Sequence, residues 1–360
     1  MKNLLLLFTS LLSLSLSQHA LANERIRPRN ILLQEGYKEV QQHSLQSLSP
    51  MDEPAAHSLN WPVKFQDSEH SLANAMAEFQ PFGSPYFHGG CDLRVEAAAN
   101  IIAPVSGKLE AGHYSYNQNA DGSLTKFWKP WPQEGDPNYF EVAVVAPSGI
   151  RYEFHHTNSS TLPDTIVKML NEGGGQVEKG TLLGHAIYWP DGDYHHIHYN
   201  VILPDGTRMN PEYVSPLVED HVAPTVSGAY AVLANGKTID FQHQKLLERP
   251  SYFAVAVIDK NDKNVYEHPA SFAQILFQNG ASFEWDFRKT LTTKTGSFPR
   301  LWDFFVRSLT TPTGEVLETD GGYGLGLSII RLNLPFNAKG PFTITISDIA
   351  GNSTLITGEL

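Results

Sequence analysis

Three histidines fall within four positions in Tyr194–Val201, YHHIHYNV, a stretch otherwise made of strand-forming residues. Side chains two apart on a strand share a face. His196 and His198 therefore point the same way, with Tyr194 and Asn200, while His195 points the other way with Ile197 and Tyr199. A same-face His-x-His pair brings two imidazoles to one metal ion or one reacting water. Upstream, Tyr86–Val95 reads YFHGGCDLRV, with His88 and Asp92 four apart. In extended chain positions 88, 90 and 92 share a face. Gly90 leaves room above it, so an imidazole and a carboxylate can converge on one ion. A third cluster, RYEFHHTN (Arg151–Asn158), places His155 and His156 at the end of an apolar run. Each segment ends in groups suited to metal ligation or acid–base work. Cys91 lies between His88 and Asp92, but alternation puts it on the opposite face, where it reads as a buried structural thiol. His113, His185 and His195 read as surface or accessory histidines.

The elements around these residues read mostly as strands. NIIAPVSGKLEAGHY, YFEVAVVAPSGIRYEFHH, GQVEKGTLLGHAIYW and HIHYNVILPDG are rich in Val, Ile, Tyr and Phe and are broken by Gly and Pro. Ser71–Phe82, SLANAMAEFQPF, has the alanines and apolar spacing of a short helix. Leu162–Gly173 is a second helix candidate, and Asn117–Asn138 a long aromatic insertion in which Trp128 and Trp131 could line a groove. Beyond VEDHVAPTV, a charged and proline-bearing linker, a second unit is expected. Its end, GPFTITISDIAGNSTLITGEL, alternates around Gly351-Asn352 like an antiparallel hairpin of a β-sandwich.

Composition bounds the function. The first residues, MKNLLLLFTSLLSLSLSQHALA, carry Lys2, a Leu-rich run and Ala20-Leu21-Ala22, the pattern of a secretory signal peptide cleaved after Ala22. The run is short and broken by Ser and Gln18, and no cysteine follows it, so neither a membrane anchor nor a lipoprotein is expected. A formal net charge of −12 argues against nucleic acid and against an anionic membrane surface. The single cysteine excludes an intrachain disulfide. The expected organisation is a signal peptide (1–22), a polar lead-in (23–60), a metal-bearing domain (61–216) and a C-terminal sandwich (217–360).

Taken in order, HGGCD, FHH and HIH resemble the motifs of the M23 zinc metallopeptidases, the lysostaphin-like or LytM-type endopeptidases. The flanking IIAPVSGKL and GGQVEKGTLLGHA are similar to the family's text as well, and the likeness covers about residues 80–215. The resemblance implies a mainly β, antiparallel LytM-type fold, here followed by an Ig-like β-sandwich. It implies that His88, Asp92 and His198 bind Zn2+ and leave a position for water, with His156 and His196 as the catalytic histidines. His155, next in the chain, is the alternative to His156. Three protein ligands with an open fourth position match catalytic rather than structural zinc. No HExxH helix offers a glutamate base, so histidines must move the proton. The implied role is an exported (periplasmic or secreted) endopeptidase cutting peptide cross-links or stems of peptidoglycan. A catalytically silent module that regulates wall enzymes and a peptidase acting on non-wall peptides are the alternatives.

Overall fold

The computed structural model describes residues 54–66, 71–81, 85–118, 124–188, 194–260, 267–320 and 326–360. The signal-peptide segment and most of the lead-in lie outside the described residues. The described chain is mostly β, with antiparallel pairing throughout, and no described helix is long and apolar enough to cross a membrane.

The first half holds β1 (Leu72–Asn74), β2 (Phe79–Gln80), β3 (Tyr86–Phe87), β4 (Cys91–Arg94), β5 (Asn100–Ile102), β6 (Gly107–Gln118), β7 (Leu124–Pro130), β8 (Phe140–Val145) and β9 (Arg151–His155). Helix α1 (Asp164–Asn171) follows, then β10 (Gln176–Val177), β11 (Leu182–His185), β12 (His196–Ile202), β13 (Arg208–Met209) and the short α2 (Pro211–Val214). Among the described residues, nine strands form one sheet ordered β1-β4-β12-β9-β8-β6-β10, with β13 on β12 and β7 on β6. The four strand stretches read from the sequence are all strands here, and the Leu162–Gly173 candidate is α1. The Asn117–Asn138 insertion begins inside a hairpin of β6 and β7.

One face of this sheet is apolar because the alternation is strict. Phe154 on β9 and Tyr199 on β12 are cross-strand partners, buried and stacked at 5.4 Å. Each such ring contributes about 1.5–3 kcal/mol by leaving water. The other face of the same strands carries His155 and His198, also partners. Residues 54–66 cover the apolar face: Leu59 and Val63 join its core, and the Trp61 ring lies 6.5 Å from Tyr199. Part of the expected loose lead-in is thus packed and tied by backbone bonds from His57 to Tyr213 and Leu59 to Val214.

The Ser71–Phe82 helix does not form. The segment is β1, a turn and β2, with Ala77 at a φ of 71°. Helical spacing of its apolar residues is outweighed by what they contact, because Met76, Ala77 and Phe79 are buried in a core made by the second half of the chain.

That second half contains β14 (Thr225–Val232), β15 (Thr238–Asp240), β16 (Tyr252–Lys260), β17 (Glu267–His268), β18 (Phe272–Phe277) and β19 (Ser282–Asp286). It continues with α3 (Leu301–Phe304), β20 (Ser308–Thr310), β21 (Val316–Glu318), β22 (Ser328–Asn333), β23 (Pro341–Ser347) and β24 (Ser353–Glu359). A five-stranded sheet, β15-β14-β16-β17 with β22 on β16, and a four-stranded one, β19-β18-β23-β24, share one apolar cluster. The expected terminal hairpin is β23–β24. Asp348 closes its turn by accepting from the N–H groups of Gly351 and Asn352, with Gly351 at a φ of 96°.

Candidate metal centre

Register brings the first site residues together. On β12, His198 lies opposite Asp92 of β4 on one side and His155 of β9 on the other. Cross-strand partners share a face, so these three stand in one row. His88 reaches the row from the end of β3. Its Nε2 lies 3.0 Å from His198 Nδ1 and 3.3 Å from Asp92 Oδ1, and His198 Nδ1 lies 2.8 Å from Asp92 Oδ1. These three atoms form a group that could hold a metal ion. Ligands about 2.0–2.1 Å from a tetrahedral zinc stand about 3.3 Å apart, close to this triangle.

The donor chemistry points the same way. The His88 Nδ1–H donates to the Ala75 carbonyl at 3.0 Å, so neutral His88 turns its Nε2 lone pair inward. Asn200 Nδ2 donates to Glu153 Oε2 at 3.1 Å, which turns Asn200 Oδ1 toward His198 Nε2 at 3.0 Å. His198 therefore donates from Nε2 and presents Nδ1 as a lone pair. Two nitrogen lone pairs and a carboxylate oxygen facing one another at these distances repel unless a cation sits among them. Outer hydrogen bonds of this kind are the usual means of fixing ligand tautomers. The residues fit a divalent ion such as zinc.

Electrostatics agree. Burial favours protonation of Asp92, but the neighbouring His88 and His196 outweigh it and hold the carboxyl well below its usual range. Burial pushes His198 down to about 3, leaving it neutral. Burial also opposes charge on His88, yet Asp92 and Glu78 raise it. The field that would hold a proton there equally favours a metal cation.

His156 and His196 form a second pair beside the first, with ring centroids 4.7 Å apart. Alternation alone would send His156 to the face opposite His155. Instead its φ of 63° lies in the left-handed region and breaks the alternation after His155. Its Nδ1–H donates to the Asn138 carbonyl at 2.7 Å, and that of His196 to the Tyr194 carbonyl at 3.1 Å. Each ring thus keeps Nε2 as its basic atom. Burial first, then neighbouring imidazoles, hold His156 well below the usual histidine range; burial likewise lowers His196 despite Asp92. Both are neutral bases.

His155 has a different setting. It stacks on Tyr114 at 5.3 Å, and its Nε2 lies 3.0 Å from Glu141 Oε2 and 3.4 Å from Glu153 Oε2. Arg151 ties the same carboxylates at 2.8 Å (Glu141) and 2.6 Å (Glu153) and also pairs with Glu110. Glu141, Glu153 and His155 are a second group close enough to hold a metal. Arg151 pairs with both carboxylates and Arg208 lies 3.8 Å from Glu153, so cations already face this group. Glu153 in turn holds Asn200, which touches His198.

Sequence reasoning did not single out this support, nor Glu78, whose carboxylate accepts from Ala75 N at 3.1 Å and Asn74 Nδ2 at 2.7 Å beside His88. RYEFH alternates Arg151, Glu153 and His155 with Tyr152 and Phe154, the same pattern a strand with one solvated face shows, so the sequence held no mark of the burial. Tyr194 also joins, its hydroxyl 3.2 Å from Asp92 Oδ2 and 2.7 Å from Asn74 Oδ1. Gly90 does leave the expected room, since a Cβ there would collide with Tyr199 O and Asn200 Oδ1. Cys91 is fully buried. His113, His185 and His195 lie outside the triangle, but His113 and His195 are buried rather than on the surface.

No protein-family model and no curated protein matches the chain. Among solved structures it is similar to a protein of Pseudomonas aeruginosa described as a peptidase M23, with 22% identity over 49% of this chain and a TM-score of 0.28. The match spans 58% of that protein's length. It is also similar to a glycyl-glycine endopeptidase LytM described from Ruminococcus gnavus (17% identity, 35% of this chain, 44% of that one, TM-score 0.22). A third is lysostaphin, an antimicrobial peptidase of Staphylococcus simulans (11% identity, 84% of this chain, 92% of that one, TM-score 0.28). At these TM-scores the likeness lends no weight to any residue role.

Proposed function

We propose that the chain is an exported zinc endopeptidase of the M23 kind that hydrolyses peptide cross-links or stem peptides of peptidoglycan. One observation carries this reading: three ligand atoms converge at metal-binding distances beside two neutral imidazoles whose Nδ1 atoms are engaged by backbone carbonyls. The ordered HGGCD, FHH and HIH motifs support it, and the signal-peptide-like start supports delivery to the wall.

His88 Nε2, Asp92 Oδ1 and His198 Nδ1 would hold the zinc, which when bound supplies Lewis-acid polarisation of the scissile carbonyl and acidifies the attacking water. His156 and His196 handle protons. An Nε2 lone pair accepts the proton of the attacking water, and the same atom, once protonated, donates to the developing oxyanion or the leaving amine. The carbonyls of Asn138 and Tyr194 keep both rings in the tautomer this requires. The complete set of ligands and bases favours an enzyme over a silent module.

The test is direct. The purified mature protein, loaded with zinc, is incubated with intact peptidoglycan sacculi and the released muropeptides are identified by mass spectrometry. Release of peptide-cleaved fragments that stops on chelation is expected. Intact sacculi alongside cleavage of unrelated peptides would move the substrate elsewhere.

A further inference from the structure

His88 is not carried by the large sheet that holds Asp92 and His198. It follows β3, whose partner is β2, with Phe79 opposite Phe87. Both rings are buried, and in the core of the second half of the chain. Phe87 packs at 5.8 Å from Phe304, 5.5 Å from Phe305 and 6.1 Å from Phe287; Phe79 packs at 5.5 Å from Phe305 and 5.7 Å from Trp302. Successive residues of an extended chain face opposite ways, so Phe87 points into that core while His88 points to the metal ligands.

The orientation of the imidazole has the same origin. The carbonyl that fixes His88 belongs to Ala75, next to Met76, Ala77 and Phe79 in the buried strip. Backbone bonds lock the two pieces, Ala77 N to His88 O at 2.9 Å and His88 N to Glu78 O at 2.8 Å. The Glu78 carboxylate holds the Ala75 N–H. A second seam joins the halves at β13, where Asn210 N donates to Lys289 O at 2.8 Å and Leu291 N to Arg208 O at 2.9 Å.

We infer that the C-terminal half is a brace for the metal centre: its aromatic core grips the Ala75–Phe87 hairpin and so sets the position and ring orientation of His88. Phe79 and Phe87 are positioning residues that act through His88. The inference rests on the reading of His88, Asp92 and His198 as metal ligands. It gives the C-terminal sheets a role that does not depend on binding the wall.

Four variants of the full-length mature chain test it, each titrated with zinc against a fluorescent chelator and with cobalt for its ligand-field spectrum. Phe87→Ala should weaken metal binding at least about tenfold, as loss of an outer support does, and shift the cobalt spectrum toward fewer protein ligands. Phe87→Leu should recover most of the affinity. Phe342→Ala removes a ring from the same core away from the hairpin, against Phe241, Phe253 and Phe277. It should lower the melting temperature comparably and leave metal affinity unchanged at temperatures where it is folded. His198→Ala tells the two readings apart. If it binds metal as the parent does, the metal centre itself is wrong. If it loses metal while folded Phe87→Ala binds like the parent, or Phe342→Ala weakens binding equally, the brace is overturned.

Discussion

Two buried polar clusters treat carboxylates in opposite ways. At the candidate metal centre, burial would raise Asp92 and Glu153, yet imidazoles and guanidinium groups hold both well below the usual range. At the junction of the two halves, Glu212 of α2 and Asp259 of β16 line a cavity of about 30 Å³ with Asp220, Asp348 and His268. No lysine or arginine lines it among the described residues, and burial holds His268 down at about 4, hence uncharged near neutrality. Burial, reinforced by Asp348 and Asp220, pushes Glu212 and Asp259 up to about 8. Burial is common to both places. What differs is the partner: Asp92 and Glu153 are arranged to stay charged, whereas the junction pair stores protons, as does Glu78 beside His88, which burial pushes up to about 8.

The largest effects should come from taking the proposed ligands and bases out of the first cluster. His198→Ala should lose its metal by elemental analysis and fall to background turnover. His156→Ala and His196→Ala should keep metal and lose about 10²–10⁴-fold in kcat, the usual worth of a general acid or base. A metal-replete His198→Ala would break the comparison at its root. If His155→Ala rather than His156→Ala kept its metal and lost turnover, the catalytic assignment would move one residue back.

Next comes the ionic support. Arg151→Met leaves buried Glu141 without its guanidinium and Glu153 with Arg208 alone at 3.8 Å, a change worth about 3–5 kcal/mol, read from the urea midpoint. His155→Ala should cost less than Arg151→Met but more than a surface change. A near-neutral Arg151→Met would show that the carboxylates of this cluster are not kept charged by their partners.

The junction predicts a pH dependence of the opposite sign to ordinary acid denaturation. Unfolded, Glu212 and Asp259 titrate near 4.5 and 3.8; folded, near 8. Between those limits the folded state binds more protons, so their contribution is fully present below about pH 4 and is lost as pH rises through about 8. Glu212→Gln or Asp259→Asn should flatten that slope and raise stability at pH 8 by on the order of 2–4 kcal/mol. Melting curves from pH 5 to pH 9 read this, and a parent whose stability climbs across that range would remove the contrast.

The same division explains what could be read from sequence. Asp92, His196 and His198 were legible because they lie on regular strands, where a period of two fixes the face and the ladder fixes the neighbour. The strands themselves were legible from Val, Ile and aromatic runs bounded by Gly and Pro. That His88 stands close to Asp92 and His198 was legible, but its support was not, because Phe79 and Phe87 look like local helix or strand residues until a core more than 190 positions away is present. The left-handed φ at His156 has no sequence signal in FHHT. Nor do Glu212 and Asp259 announce their pairing, which depends on how two halves of the chain meet.

The smallest expected effect tests which way β4 turns its side chains. Cys91 and Asp92 are neighbours on that strand and point to opposite sides. Asp92 feels His88 and His196, whereas the Cys91 thiol is pushed well up by burial, then by Glu212, with Asp92 and Glu78 adding less. A protonated, fully buried thiol is a poor nucleophile and a poor ligand. Cys91→Ala should therefore keep the parent's metal content and turnover and cost about 1 kcal/mol in packing. The native thiol should resist modifying reagents until the chain unfolds. Loss of metal in Cys91→Ala, with the fold intact, would mean that the thiol faces the ion after all.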